Sequence, residues 1–79
     1  MPDVAVEIKS PDDKFNEMRE KAAYYLANGT KLVWLVYPEK RLVSALTPEN
    51  EYIFIDKDTM DGGDVLPGFS LMVSEIFMD

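Results

Sequence analysis

The fold is decided by residues 3–37, which have the sequence DVAVEIKSPDDKFNEMREKAAYYLANGTKLVWLVY. At its start, apolar residues recur with a period of two, which predicts a strand with one wholly aliphatic face. At its end, residues 31–37 form an almost continuous apolar run, which predicts a strand buried on both faces. Apolar residues between them recur at three- and four-residue spacing, which is typical of a helix. This order predicts a right-handed βαβ unit with two parallel strands.

The helix is expected over residues 11–28. Ser10 is a suitable N-cap, Pro11 suits the first helical position, and the two aspartates that follow complement the positive end of the helix. Asn28-Gly29 favours the left-handed backbone that ends many helices. The apolar stripe expected to face the sheet consists of Phe15, Met18, Ala22, Tyr25 and Leu26.

Beyond residue 37, the sequence predicts two further strands, Leu42–Thr47 and Tyr52–Asp56, in an antiparallel meander. The stretch 65–71 is expected to be irregular, and residues 73–77 are expected to form a short helical turn. We therefore expect one domain over residues 1–79. Its fold class is α/β (α+β), a mixed sheet of about four strands with one main helix packed on it.

The composition excludes several classes of function. The chain has 79 residues with no Cys and no His, so it has no disulfide, no thiolate or imidazole metal site and no Ser-His-Asp triad. Its formal net charge is −7. Basic and acidic residues balance over residues 1–41, so the excess negative charge lies in residues 42–79. A polyanion such as DNA would have to approach through the first half, and the overall balance argues against nucleic-acid binding.

The hydrophobic content, 47%, predicts a folded chain. The longest apolar run, residues 32–37, is far shorter than the roughly 20 residues of a membrane span. The N-terminus lacks the basic and apolar pattern of a secretory signal. We therefore expect a cytoplasmic protein.

One short motif, Glu7-Ile8-Lys9, suggests chemistry. On a strand, the first and third residues point the same way, about 7 Å apart. A carboxylate there can hold a divalent cation while the neighbouring ammonium orients a hydroxide. The motif also ends a strand predicted to be parallel, where α/β sheets bind their ligands. The alternative is a simple ion pair between Glu7 and Lys9 on a solvated face.

Four segments of the chain occur together in an order that resembles the Uma-type restriction endonucleases, a family within the PD-(D/E)XK nuclease superfamily. They are PDVAVEIKSP at 2–11, KAAYYLANG at 21–29, VWLVYP at 33–38 and GDVLPGFSL at 63–71. The resemblance covers essentially the whole chain. It implies a restriction-endonuclease-like core and Mg²⁺-dependent hydrolysis of DNA phosphodiesters, with Mn²⁺ as a possible substitute.

The same resemblance implies four catalytic residues. Glu7 matches the acid of the (D/E)-x-K motif and would bind the metal, and Lys9 matches its lysine. Lys21 and Tyr25 match a lysine and a tyrosine on the helix that face the same site. Two structural alternatives stay open, because Lys21 could simply extend along the helix flank and Tyr25 could belong to the core.

The chain departs from the family pattern in two places. It matches only the C-terminal half of the family domain, which predicts a truncated core, and the first aspartate of the motif belongs to an earlier strand that is missing. Asp3 cannot replace it within one strand, because four residues separate it from Glu7 by about 13 Å. Two carboxylates that share one Mg²⁺ must lie within about 4 Å. In addition, Tyr37 stands where relatives commonly carry Asp.

Two hypotheses follow from these observations. In the first, the chain is a metal-dependent DNA endonuclease, incomplete or inactive alone, whose second acid comes from a partner subunit or a complementing N-terminal half. In the second, it is a non-catalytic interaction or oligomerisation module whose first strand pairs with another chain. We expect a homo-oligomer under both hypotheses.

Overall fold

The computed structural model describes residues 1–77, which contain six strands, one main helix and two short helical segments. The elements in chain order are β1 Val4–Ile8, α1 Phe15–Ala27, β2 Leu32–Tyr37, a 3₁₀ turn at Pro38–Lys40, β3 Leu42–Leu46, β4 Glu51–Phe54, β5 Thr59–Gly62, β6 Leu66–Met72 and α2 Val73–Ile76.

The main sheet has the strand order β1-β2-β3-β4. Strands β1 and β2 are parallel, and Glu7 lies beside Leu35 in their register. The pairs β2–β3 and β3–β4 are antiparallel. The predicted βαβ unit, the meander and the mixed four-stranded sheet with one main helix are therefore confirmed.

The strand β2 is buried on both faces, as its continuous apolar sequence predicts. On one face, Met18 and Ala22 of α1 pack against Val33, Leu35 and Tyr37. On the other face, a second cluster contains Val36, Val43, Met60 and Val73. The two cores share the central strands, so the packing of α1 also determines where its polar side chains meet the sheet.

The helix begins at Phe15, one turn later than the predicted start at residue 11. The carboxylate of Asp13 accepts hydrogen bonds from the Ser10 backbone N–H at 2.8 Å and from its hydroxyl at 3.0 Å. The Asp13 N–H in turn donates to the Ser10 carbonyl. Residues 10–13 thus close a turn of their own, and Ser10 cannot cap the helix. The predicted helix end is confirmed, because Gly29 adopts a φ of 105°.

The prediction of an irregular stretch at residues 65–71 is wrong. Most of it belongs to β6, which pairs antiparallel with β5 in a second, two-stranded sheet. Pro67 and Gly68 conceal the strand in the sequence, because both residues are rare inside sheets. The pairing shifts register between Asp61 and Gly62, which pair with Ser70 and Leu66, so residues 67–69 have no partner in β5 and Pro67 is tolerated there. The short helical turn at the C-terminal end is confirmed as α2.

Strand β1 is an edge of the main sheet within the described residues. Its aliphatic face lies on the side opposite α1, and Val6 and Ile8 there are 51% and 63% exposed. None of the helices in residues 1–77 is long and apolar enough to cross a membrane.

Candidate functional site

The site is centred on Glu7, which lies on the face of β1 that is covered by α1. Its Oε1 atom lies 2.8 Å from the Lys21 ammonium and accepts a hydrogen bond of 3.3 Å from the Tyr25 hydroxyl. Lys21 and Tyr25 are four residues apart on α1, so they occupy the same face of the helix one turn apart. The structure therefore brings together three of the four residues that the sequence suggested.

Lys21 does more than extend along the helix flank, and Tyr25 does more than fill the core, because both side chains contact Glu7. The hydrogen bond and charge of Glu7 raise the pKa of the Lys21 ammonium above its ordinary value. The ammonium also lies 5.9 Å from the centre of the Tyr25 ring. Tyr25 packs against the core under α1 while its hydroxyl reaches Glu7. Tyr25 thus combines packing against the core with a hydrogen bond to Glu7.

Lys9 does not pair with Glu7 in the described residues, so the proposed ion pair within the Glu-x-Lys motif is not formed. The Lys9 ammonium contacts the Ser10 carbonyl at 3.3 Å. Its backbone N–H donates to the Val36 carbonyl, which continues the parallel pairing beyond Ile8. Lys9 lines a neighbouring pocket instead, and no contact ties its ammonium to the Glu7 carboxylate.

The sequence predicts neither Asp13 nor Glu17 as a site residue, although both line the cavity of about 170 Å³ around Glu7 and Lys21. Hydrogen bonds from Ser10 hold the pKa of Asp13 below its usual range, and the charges of Lys9 and Lys21 add to this effect. The sequence signal was the three-residue spacing of Ser10 and Asp13, which permits a side-chain-closed turn as well as a helix start.

The residues of this cavity fit a magnesium site only in part. Mg²⁺ prefers oxygen ligands and is commonly bound through one or two carboxylates, with water and substrate phosphates completing its shell. Glu7 has the required chemistry and a fixed position, and Asp13 lies in the same cavity. Asp3 lies beyond the opposite end of β1, where its carbonyl accepts from Lys31 and Leu32. Within residues 1–77, no three His, Cys, Asp or Glu side chains converge into a metal-binding group.

Comparison with solved structures shows that this is a nuclease-like fold. The chain superimposes with a TM-score of 0.87 on the crystal structure of a "putative nuclease belonging to DUF820" from Anabaena variabilis ATCC 29413. The two sequences are 23% identical, and the match covers 96% of this chain and 44% of the other. This chain thus spans less than half the length of that relative.

The family itself is shown by sequence. The model of the Uma2 family, described as "Putative restriction endonuclease", matches residues 1–74, and the chain belongs to this family. The resemblance that the four sequence segments suggested is therefore confirmed. A search of curated proteins found no match.

Proposed function

We propose that the chain provides part of the active site of a Mg²⁺-dependent DNA endonuclease of the PD-(D/E)XK type. The observation that supports this proposal most directly is the position of Glu7. Its side chain is 27% exposed and is held by an ammonium and a phenol from α1. Membership of a family described as restriction endonucleases supports the same reaction class.

Each of the four residues has a role in this proposal. Glu7 would be a metal ligand, and the metal would supply charge for the phosphate oxygens and lower the pKa of a bound water. Lys9 would orient the attacking water. Lys21, whose side chain is 56% exposed, would contact the phosphate, and Tyr25 would hold the Glu7 carboxylate in place.

The proposed site needs a second acid. Asp13 and Glu17 are the candidates in this chain, because both line the same cavity as Glu7. The other source is a partner subunit or a complementing N-terminal half, in keeping with the 44% of the relative's length that this chain covers. If neither this chain nor another chain supplies the second acid, the isolated chain would bind metal weakly and cleave nothing.

Calorimetric titration with Mn²⁺ and Mg²⁺ tests the proposal. We expect binding by the wild-type chain, none by Glu7→Gln, and weaker binding by Asp13→Asn if this residue completes the site. Glu75→Gln is the matched control, because it removes the same charge from an exposed position on α2. Where metal binds, Lys9→Ala should abolish cleavage of a plasmid. Equal metal binding by the wild-type chain and the three carboxylate variants would refute the assignment of Glu7 as a metal ligand.

The open edge of β1 supports a second function, namely pairing with another chain. Unpaired edge strands are templates for strand addition, and Val6 and Ile8 add exposed apolar surface beside this edge. We expect a dimer or larger oligomer in sedimentation that Ile8→Lys weakens. Ile53→Lys, at a similarly exposed position on the other edge strand, is the control. A wild-type monomer would contradict this role.

A further inference from the structure

A second pocket lies at the carboxyl ends of the two parallel strands, beside the Glu7 site. Its volume is about 390 Å³, within the range of roughly 300–1,000 Å³ that is usual for small-molecule sites. Its lining includes Lys9, Phe15, Tyr37, Glu39 and Lys40. Lys9 follows Glu7 by two residues in the sequence and lines this pocket, but it does not line the cavity around Glu7.

The floor of this pocket is aromatic. The rings of Phe15 and Tyr37 are stacked, with centroids 5.4 Å apart and planes inclined by 30°. Tyr37 is only 3% exposed and supports Phe15 from the core, whereas Phe15 is 44% exposed. Phe15 is therefore the member of this stacked pair that a ligand in the pocket can reach.

Cations surround the exposed ring. The Lys40 ammonium lies 5.7 Å from the centre of the Phe15 ring, and the Arg19 guanidinium carbon lies 5.8 Å from it. Arg19 is neutralised by two hydrogen bonds to Glu51. Lys40 and Lys9, by contrast, form no salt bridge within residues 1–77. Glu39 is the one carboxylate in the lining, so the two lysines leave the described pocket with a net positive charge.

We propose that this pocket binds a nucleotide, with an unpaired base stacked on Phe15 and a phosphate attracted by Lys9 and Lys40. Stacking on an aromatic side chain is a common way to hold a base without reading its sequence. A base inside a duplex has no free face, so the pocket selects a single-stranded, frayed or extruded nucleotide. The inference rests on the proposed function, since it assigns this pocket to the nucleic acid that the Glu7 site would cleave.

The proposal is tested by NMR titration of the ¹⁵N-labelled full chain in EDTA, so that binding is measured without metal or cleavage. The probes are the oligonucleotide (dT)6, an abasic strand of the same length, dTMP and inorganic phosphate. We expect the amide signals of Phe15 and Lys40 to shift with (dT)6 and much less with the abasic strand. Binding of dTMP as strong as that of (dT)6 identifies a free nucleotide as the ligand, whereas binding of (dT)6 alone identifies a strand.

The variants separate stacking from charge. Phe15→Leu keeps an apolar side chain without a π face and should weaken binding about 5-fold or more, whereas Phe15→Tyr should retain it. Lys40→Gln should also weaken binding. Lys57→Gln, which makes the same charge change in the acidic half of the chain, should not.

Two outcomes would overturn the pocket assignment: equal affinity for (dT)6 and the abasic strand, or unchanged affinity in Phe15→Leu. Metal binding at Glu7 is measured separately, so either outcome leaves the proposed hydrolase intact. Conversely, if Glu7 binds no metal but the pocket still binds the base, the proposed hydrolase is refuted and the nucleotide pocket is not.

Discussion

The ion pair between Arg19 and Glu51 links the helix that carries Lys21 and Tyr25 to the far edge strand β4. Its two hydrogen bonds measure 2.6 and 2.9 Å, which is the bidentate geometry that favours arginine over lysine. The bridge joins residues far apart in the sequence. Removing it should therefore loosen α1 on the sheet.

The contribution of this ion pair to the free energy of unfolding follows from its geometry and its exposure to solvent. The two side chains are 34% and 32% exposed, so solvent screens the pair and it cannot contribute as a buried pair would. Exposed pairs contribute roughly 0.2–1 kcal/mol, and the bidentate geometry places this one near about 1 kcal/mol. For a domain of this size, that corresponds to a loss of about 4–8 °C in melting temperature.

The pair also predicts a pH dependence. Hydrogen bonds from Arg19 hold the pKa of Glu51 below its ordinary value of 4.5. A lowered carboxyl pKa gives stability that is complete above the unfolded-state pKa and is lost as the pH falls through the folded-state pKa. The contribution should thus be complete at neutral pH and disappear in the acid range below about pH 4.5.

Thermal unfolding, followed by circular dichroism from about pH 7 to about pH 2, measures this in a double-mutant cycle of Arg19→Met and Glu51→Gln. Arg41→Met is the control, because its pair with Asp56 is more exposed, at 48% and 47%, and should contribute less. A coupling energy of zero at neutral pH would refute the reasoning. A coupling energy that stays unchanged when the pH falls below the pKa of Glu51 would also refute it.

Two further predictions concern the cores. Leu35→Ala should reduce the free energy of unfolding by about 2–5 kcal/mol in urea, because Leu35 is fully buried under α1, whereas the exposed Ile53→Ala should change it by no more than about 0.5 kcal/mol. Gly62→Ala should cost about 1–3 kcal/mol, because the added methyl group would overlap Leu66 across the β5–β6 pair, and a Tm equal to that of the wild-type chain would contradict this.

The fold was largely predictable because its central pattern is periodic. The alternation in β1, the stripe on α1 and the apolar run of β2 predict two strands and a helix, and all three elements are confirmed. Within the predicted stripe, Met18 and Ala22 are buried, whereas Phe15 is 44% exposed. The errors fall where side chains compete for backbone groups or where special residues interrupt the pattern. Ser10 and Asp13 close a turn in place of a helix start, and Pro67 with Gly68 conceals β6.

The site was less predictable, because its contacts depend on how α1 is placed on the sheet. The sequence suggested that Glu7 and Lys9 act together, since they are neighbours on one strand. The contact that forms is between Glu7 and Lys21, which are separated by the whole connection into α1. Asp13 joins the cavity only through the Ser10 turn, which no periodicity reveals.

Strand β1, which carries Glu7, lies at the edge of the main sheet, so the site depends on the local stability of an edge strand. Edge elements with exposed side chains open at lower free energy than the core, in local excursions that native-state hydrogen exchange detects. When β1 detaches, Glu7 leaves Lys21 and Tyr25, which both belong to α1. The fraction of time for which the site exists is therefore the fraction for which β1 is docked. A strand that pairs with this edge would hold β1 in place and so raise the fraction of time for which the site exists.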